Sequence, residues 1–192
     1  MLNIDFPGSS RLIKTLDDAV ACGSLPAITD KLRSGLCQMI REQDIRLPDC
    51  VFEPCSEHYA RREIYRSEQF GYAVVAMTWG PRQGTPIHDH SGMWCVEGVW
   101  QGELEITQYE KMEQAESKFR FRPAGTIQAG AGSAGSLIPP HEYHAICNPS
   151  AEDVCVSLHI YSGPMTECAV FKPLTNDWYE RDQRQLSLDQ TH

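Results

Sequence analysis

Gly84-Thr85-Pro86-Ile87-His88-Asp89-His90-Ser91-Gly92-Met93-Trp94-Cys95 is the stretch whose reading decides how this chain folds. Two histidines stand one residue apart inside it. Side chains on a strand alternate with period 2, so His88 and His90 are expected on one face. Two imidazoles on one face suit a transition metal. A third from a neighbouring strand would complete a facial set with open coordination positions. A second cluster, His141-Glu142-Tyr143-His144, offers that third ring, and His159 lies just downstream.

The surrounding composition narrows the class. At 192 residues the chain reads as one domain, long enough to bury a core without disulfides. A net charge of -9 argues against nucleic acid and anionic membrane surfaces as partners. No apolar run approaches a membrane span, and the start, MLNIDFPGSSRLIK, lacks the continuous apolar core of a signal peptide. The cytoplasm is the expected compartment, with no obligate protein partner implied. The eight cysteines form no Cys-x-x-Cys pair and no zinc-ribbon spacing, and read as reduced thiols, most of them small buried apolar residues. Only Cys95, a few residues after His90, is placed to matter.

Helical spacing is visible between about Ser10 and Gln43: Leu12, Leu16, Ala19 and Val20, then Ile28, Leu32, Leu36, Met39 and Ile40. Gly23 and Pro26 separate the two segments. From about Cys50 the character changes to short β-rich runs, predicted at Tyr72–Trp79, Met93–Trp100, Gly102–Tyr109, Lys118–Arg122, Ser136–Ile138, His144–Ile146 and Val154–Tyr161. Turn-rich pieces such as Gly80–Gly84 and Ala129–Gly135 lie between them. Many short strands with Gly/Pro punctuation predict a sandwich or barrel. The expected organisation of 1–192 is a helical segment over about 1–48, a β-barrel over about 50–171, and a polar surface tail over 172–192.

The stretch from Gly84 to Gly102 resembles the first motif of the cupins: a glycine, two histidines one residue apart, a glutamate, and a second glycine. Here Cys95 stands at the glutamate position, which removes a carboxylate ligand. The second cupin motif is matched in part by Pro139, His144 and Asn148, with His141 in place of its inner glycine. The resemblance implies a mostly β fold, the cupin-type double-stranded β-helix or jelly-roll barrel, with His88, His90 and His144 converging on one metal. His144 opens the apolar run Ala145-Ile146 and is expected on a strand facing inward. His141 follows two prolines and is expected in the turn.

Over about Tyr59 to Phe171 the chain also resembles the thiol dioxygenases, and among them the cysteine dioxygenase type I family. Val156-Ser157-Leu158-His159-Ile160-Tyr161-Ser162 resembles the family's Ser-x-His-x-Tyr strand, and Tyr59-Ala60-Arg61 its Tyr-x-Arg segment. This resemblance implies a non-haem Fe(II) enzyme that oxidises a small-molecule thiol with O2, L-cysteine to cysteine sulfinic acid. It implies His88, His90 and His144 as iron ligands, and Arg61 with Tyr59 at the substrate carboxylate. It further implies Ser157, His159 and Tyr161 as a hydrogen-bonded relay. Cys95 matches the cysteine that animal members join through sulfur to the tyrosine matched by Tyr161. One departure is Gly163, where animal members carry proline.

The chemistry is coherent with those residue types. Three neutral imidazoles leave a divalent ion its full charge and about three open positions. A guanidinium binds a carboxylate bidentately, which an ammonium does not. Strand periodicity puts Ser157, His159 and Tyr161 on a common face. Each residue also has a purely structural reading: Arg61 or Arg62 as a surface charge, His159 as a satisfied core histidine, Tyr161 as a barrel aromatic, Cys95 as a buried thiol. Two alternatives for substrate are 3-mercaptopropionate and mercaptosuccinate; relatives acting on the former carry glutamine at the Arg61 position. Outside this class stand a metal-dependent cupin isomerase or lyase and a metal-binding cupin sensor. The sensor reading gains nothing from the helical start, which has no basic recognition helix.

Overall fold

The computed structural model describes residues 5–190; residues 1–4 and 191–192 of the expected domain lie outside the described residues. Two helices come first, α1 (Ser9–Val20) and α2 (Leu25–Glu42). Leu12, Leu16 and Ala19 of α1 and Leu32, Leu36 and Met39 of α2 are buried at the spacing of one helix face. Pro26 stands in the first turn of α2, where its missing N–H costs no hydrogen bond. A short 3-10 turn, Asp49–Phe52, leads into the strands.

Among the described residues eleven strands follow: β1 (Ala60–Arg66), β2 (Ala73–Trp79), β3 (Ile87–His88), β4 (Cys95–Gln101), β5 (Glu103–Ala115), β6 (Lys118–Gly130), β7 (Ala134–Leu137), β8 (His144–Cys147), β9 (Cys155–Tyr161), β10 (Glu167–Pro173) and β11 (Trp178–Gln185). Five of them form one sheet in the order β1-β2-β9-β4-β7. The other six close on themselves in the order β10-β11-β6-β5-β8-β3. The fold is the mostly β, cupin-type double-stranded β-helix with helices at its N-terminal side.

The inner strands β2, β9 and β4 of the five-stranded sheet are buried almost throughout on both faces, and their two-residue period sorts the side chains. Val156, Leu158 and Ile160 of β9, Val74 and Ala76 of β2, and Val96 of β4 pack against the helices. Tyr161, Val75, Met77, Trp79, Cys95 and Val99 point the other way, into the barrel, together with Leu104 and Ile106 of β5. Each fully buried aliphatic side chain contributes roughly 1.5–3 kcal/mol. The alternation therefore fixes the register, because a slip by one residue would exchange the two faces. A third cluster of Phe119, Phe121 and Phe171, with Tyr143 and Tyr179 against it, fills the far end of the closed sheet.

Two motif glycines are explained by close approach. A Cβ on Gly84 would lie 2.7 Å from the Ile146 carbonyl oxygen, so only glycine lets this segment lie on β8. Gly102 turns the chain from β4 to β5 at φ +78°, with the β9 backbone at Cys155 3.1 Å from a would-be Cβ.

Several expectations are corrected. His90 is not on a strand with His88: β3 ends at His88. The Asp89 carboxylate accepts the N–H groups of Ser91 and Ala169 at 3.1 and 2.9 Å and turns the chain there. The expected surface tail after Phe171 instead completes β10 and forms β11, paired with β10 and β6. Nearly all of β11 is solvent-exposed, so no apolar alternation marks it in the sequence. β5 and β6 run well beyond Tyr109 and Arg122 for the same reason. The turn expected over Ala129–Gly135 shrinks to the residues between Gly130 and Ala134.

Candidate metal centre

His88 and His144 stand directly opposite each other in the β3–β8 register, with Nε2 atoms 3.1 Å apart. His90, one turn further on, closes the triangle. Ring centroids are 4.5 Å apart for His88 and His144, 5.0 Å for His90 and His144, and 5.3 Å for His88 and His90. One ligand atom from each ring lies within 4.8 Å of the other two. His90 and His144 are buried and His88 is half-buried. His141, by contrast, is exposed in the preceding turn.

These three rings fit a divalent transition metal. His88 Nδ1 meets the Pro86 carbonyl oxygen at 3.1 Å; a carbonyl only accepts, so Nδ1 carries the proton and Nε2 presents its lone pair. Cis nitrogens at metal–nitrogen distances of about 2.0–2.1 Å lie roughly 3 Å apart, which is the spacing of the His88 and His144 Nε2 atoms. Burial holds His88 below the ordinary imidazole range, and holds His90 and His144 far below it, with the neighbouring rings adding to the effect. All three are therefore neutral, the form that ligates.

β9 supplies a second set of groups on the same interior face. Ser157 Oγ accepts the Trp79 indole N–H at 2.9 Å and lies 2.8 Å from His159 Nε2. Burial, with Arg61 and His88 nearby, pushes His159 down to about 3. Tyr161 meets His159 as a stacked ring, centroids 6.0 Å apart and planes within 20°. Tyr161 stands directly across the β4–β9 ladder from Cys95, with its phenol beside the thiol. Burial raises both thiol and phenol well above their usual ranges, so both rest protonated.

The sequence reading missed Glu97. It continues the chain beyond His159, with Oε2 3.4 Å from His159 Nδ1 and Oε1 3.9 Å from His144 Nδ1. Burial lifts its carboxyl to about 8. The signal was present: Glu97 is two residues past Cys95, hence on the same strand face, and is the acid in an otherwise apolar run.

A cavity beside the imidazoles is walled by Tyr59, Arg61, His88, His159, Tyr161 and Arg184, among others. Tyr59 stacks on Trp79 with centroids 4.6 Å apart. Arg61 is buried, and its guanidinium donates to the carbonyls of Ser187 and Met165 at 3.0 and 3.2 Å. Three of its five N–H donors remain. Arg62 points to the other side of β1, where it donates to Glu53 O, Thr78 Oγ1 and Gln190 O. Arg184, on the strand the sequence reading took for a tail, is a second guanidinium at this cavity and was also missed.

Residues 56–173 match the model of the family described as Cysteine dioxygenase type I. The Cysteine dioxygenase type 1 of Danio rerio is 26% identical over 104 residues, 54% of this chain and 51% of that protein. That of Bos taurus is 27% identical over 133 residues, 65% of this chain and 62% of that protein. The chain thus spans about half to three-fifths of the length of these curated relatives. A solved conserved protein with a double-stranded β-helix domain from Klebsiella pneumoniae superposes with a TM-score of 0.48 at 18% identity, covering 65% of this chain and 88% of that one.

Proposed function

The chain belongs to the cysteine dioxygenase type I family, and from that premise we propose that it is a non-haem Fe(II) thiol dioxygenase converting L-cysteine and O2 to cysteine sulfinic acid. The observation that carries this reading is the convergence of His88, His90 and His144 beside a cavity that also holds the Arg61 guanidinium and the Tyr161 phenol. The reaction balances without a further reductant: the sulfur loses four electrons, and the two oxygen atoms that it gains take them up. Bound iron supplies the redox-active centre at which thiol and oxygen react.

The chain's own residues do the rest. Arg61 pairs with the substrate carboxylate through its remaining N–H donors and fixes the sulfur's approach. Tyr59 walls the same end of the cavity. Tyr161, kept as a neutral phenol by burial, donates a hydrogen bond into the reaction space and does not act as a base. Ser157 and Trp79 hold His159 in one orientation behind it. Cys95, packed directly across the ladder, restrains the phenol.

One observation favours a second substrate reading. Arg184 gives the cavity a second guanidinium, which suits a thiol with two carboxylates such as mercaptosuccinate. All eight cysteines are unpaired, which fits a reducing compartment, and we place the enzyme in the cytoplasm on that ground. Among the described residues no helix is long and apolar enough to cross a membrane. Metal analysis combined with oxygen uptake over a panel of L-cysteine, 3-mercaptopropionate and mercaptosuccinate tests the proposal. Retained iron and thiol-dependent oxygen consumption are expected. Metal retention with no oxygen uptake on any thiol would favour the sensor or isomerase class instead.

A further inference from the structure

Glu97 lies outside both the expected ligand set and the substrate cavity, yet it sits between two of the imidazoles. It is 7% exposed, on a strand otherwise built of Cys, Val, Gly, Trp and a terminal Gln. Glu97 Oε2 and His144 Nδ1 are both buried with no hydrogen-bond partner. Leaving a carboxylate oxygen and an imidazole nitrogen buried and unpaired is costly, and here the two belong to side chains 3.9 Å apart at their nearest polar atoms.

The tautomers follow from the neighbours. An imidazole that ligates through Nε2 carries its proton on Nδ1, and that N–H needs an acceptor. For His144, whose Nε2 faces the centre, Glu97 is the carboxylate beside Nδ1. At His159 the indole N–H of Trp79 only donates. The Ser157 hydroxyl, having accepted it, gives its own proton to His159 Nε2. His159 Nδ1 therefore carries hydrogen and points at Glu97 Oε2, 3.4 Å away.

We propose that Glu97 is a positioning residue of the metal centre: one carboxylate oxygen accepts from Nδ1–H of His144 and the other from Nδ1–H of His159. The carboxylate thereby couples a ligand ring to the imidazole behind Tyr161. It also places an acidic group, held neutral by burial in the metal-free protein, beside a centre whose bound divalent ion would favour its ionised form. The 3.9 Å separation closes to hydrogen-bond length with a side-chain movement of about 1 Å. The inference rests on the reading that His88, His90 and His144 hold a metal.

The test is a Co(II) titration of metal-free wild type, Glu97→Gln and Glu97→Leu, read by visible absorption and chelator competition. Thermal unfolding of each metal-free protein accompanies it. Glu97→Leu is expected to weaken Co(II) binding by roughly 10–100-fold and to shift the cobalt absorption bands. Its metal-free melting temperature should be no lower than that of wild type, because a buried carboxyl with an unpaired oxygen has been removed. Glu97→Gln keeps one acceptor oxygen and should fall between the two. If the leucine variant does not fold, the isosteric glutamine variant carries the test alone. Equal Co(II) affinity in wild type and the variants overturns the inference, as does an affinity loss matched by lost metal-free stability. A wild type that takes up no Co(II) overturns the metal-centre reading and this inference together. Tight metal binding without thiol-dependent oxygen uptake overturns only the dioxygenase reading.

Discussion

Cys95 and Tyr161 face each other as direct cross-strand partners on β4 and β9, with thiol and phenol side by side in a fully buried setting. Neither group is ionised at rest, so joining them needs an oxidant, which the proposed turnover with O2 would provide. A thioether formed there would remove two hydrogens and fix the phenol ring. The intact mass after aerobic turnover with the thiol substrate should therefore contain a species lighter by two hydrogens, absent in Cys95→Ser. A single unchanged mass after many turnovers would leave Cys95 as a packing partner only.

Removing a ring from the centre should separate metal retention from folding. His88→Ala and His144→Ala are expected to lose bound iron by elemental analysis. His88 is half-buried, so His88→Ala should keep the metal-free melting temperature within a few degrees of wild type. Undiminished iron content in either variant would remove that residue from the ligand set.

Arg61 and Arg62 are adjacent but should behave oppositely. Arg61→Ala is expected to raise KM for the thiol substrate at least about tenfold, since a charge-assisted hydrogen bond is worth roughly 1.5–3 kcal/mol, while iron content stays unchanged. Arg62→Ala leaves the acceptors at Glu53 and Thr78 unpaired. It should lower unfolding free energy by about 1–3 kcal/mol and leave KM alone. Steady-state kinetics beside denaturant unfolding distinguishes the two.

Arg184 should act on substrate choice and little else. Arg184→Ala is expected to lower kcat/KM for mercaptosuccinate by several-fold and leave L-cysteine nearly unaffected, because its exposed guanidinium is screened by solvent. An equal loss on both substrates would make Arg184 a general contributor to the cavity's positive potential.

His159 makes a defined contribution to acid sensitivity. Its imidazole titrates at about 3 when folded against an ordinary value of 6.5. Between those values the unfolded chain holds a proton that the folded one lacks. Stability from this group is thus fully present above about pH 6.5 and falls as the pH drops toward 3, by up to about 1.4 kcal/mol per pH unit. Metal-free His159→Gln should show an unfolding free energy less steep in pH over that window by close to one proton. An unchanged slope would mean that His159 is solvated in the native state.

The amino-acid sequence by itself carried the β-barrel, the helical start and the three converging histidines, for a physical reason. Each rests on local pattern or on a motif: apolar residues every three to four positions in α1 and α2, and short β-rich runs bounded by Gly/Pro turns at β2, β4 and β9. The Tyr59-Ala60-Arg61 motif already favoured Arg61 over Arg62; the tertiary structure added where each points, Arg61 lining the cavity and Arg62 bonded on the other side of β1. β11 was illegible because a strand exposed on both faces leaves no pattern, and its place comes from backbone ladders to β10 and β6. Arg184 reached the cavity only through that strand. Glu97 required the tertiary structure too: a lone acid in an apolar strand acquires meaning only when β8 and β9, distant in sequence, bring two imidazole nitrogens within 4 Å of its carboxylate.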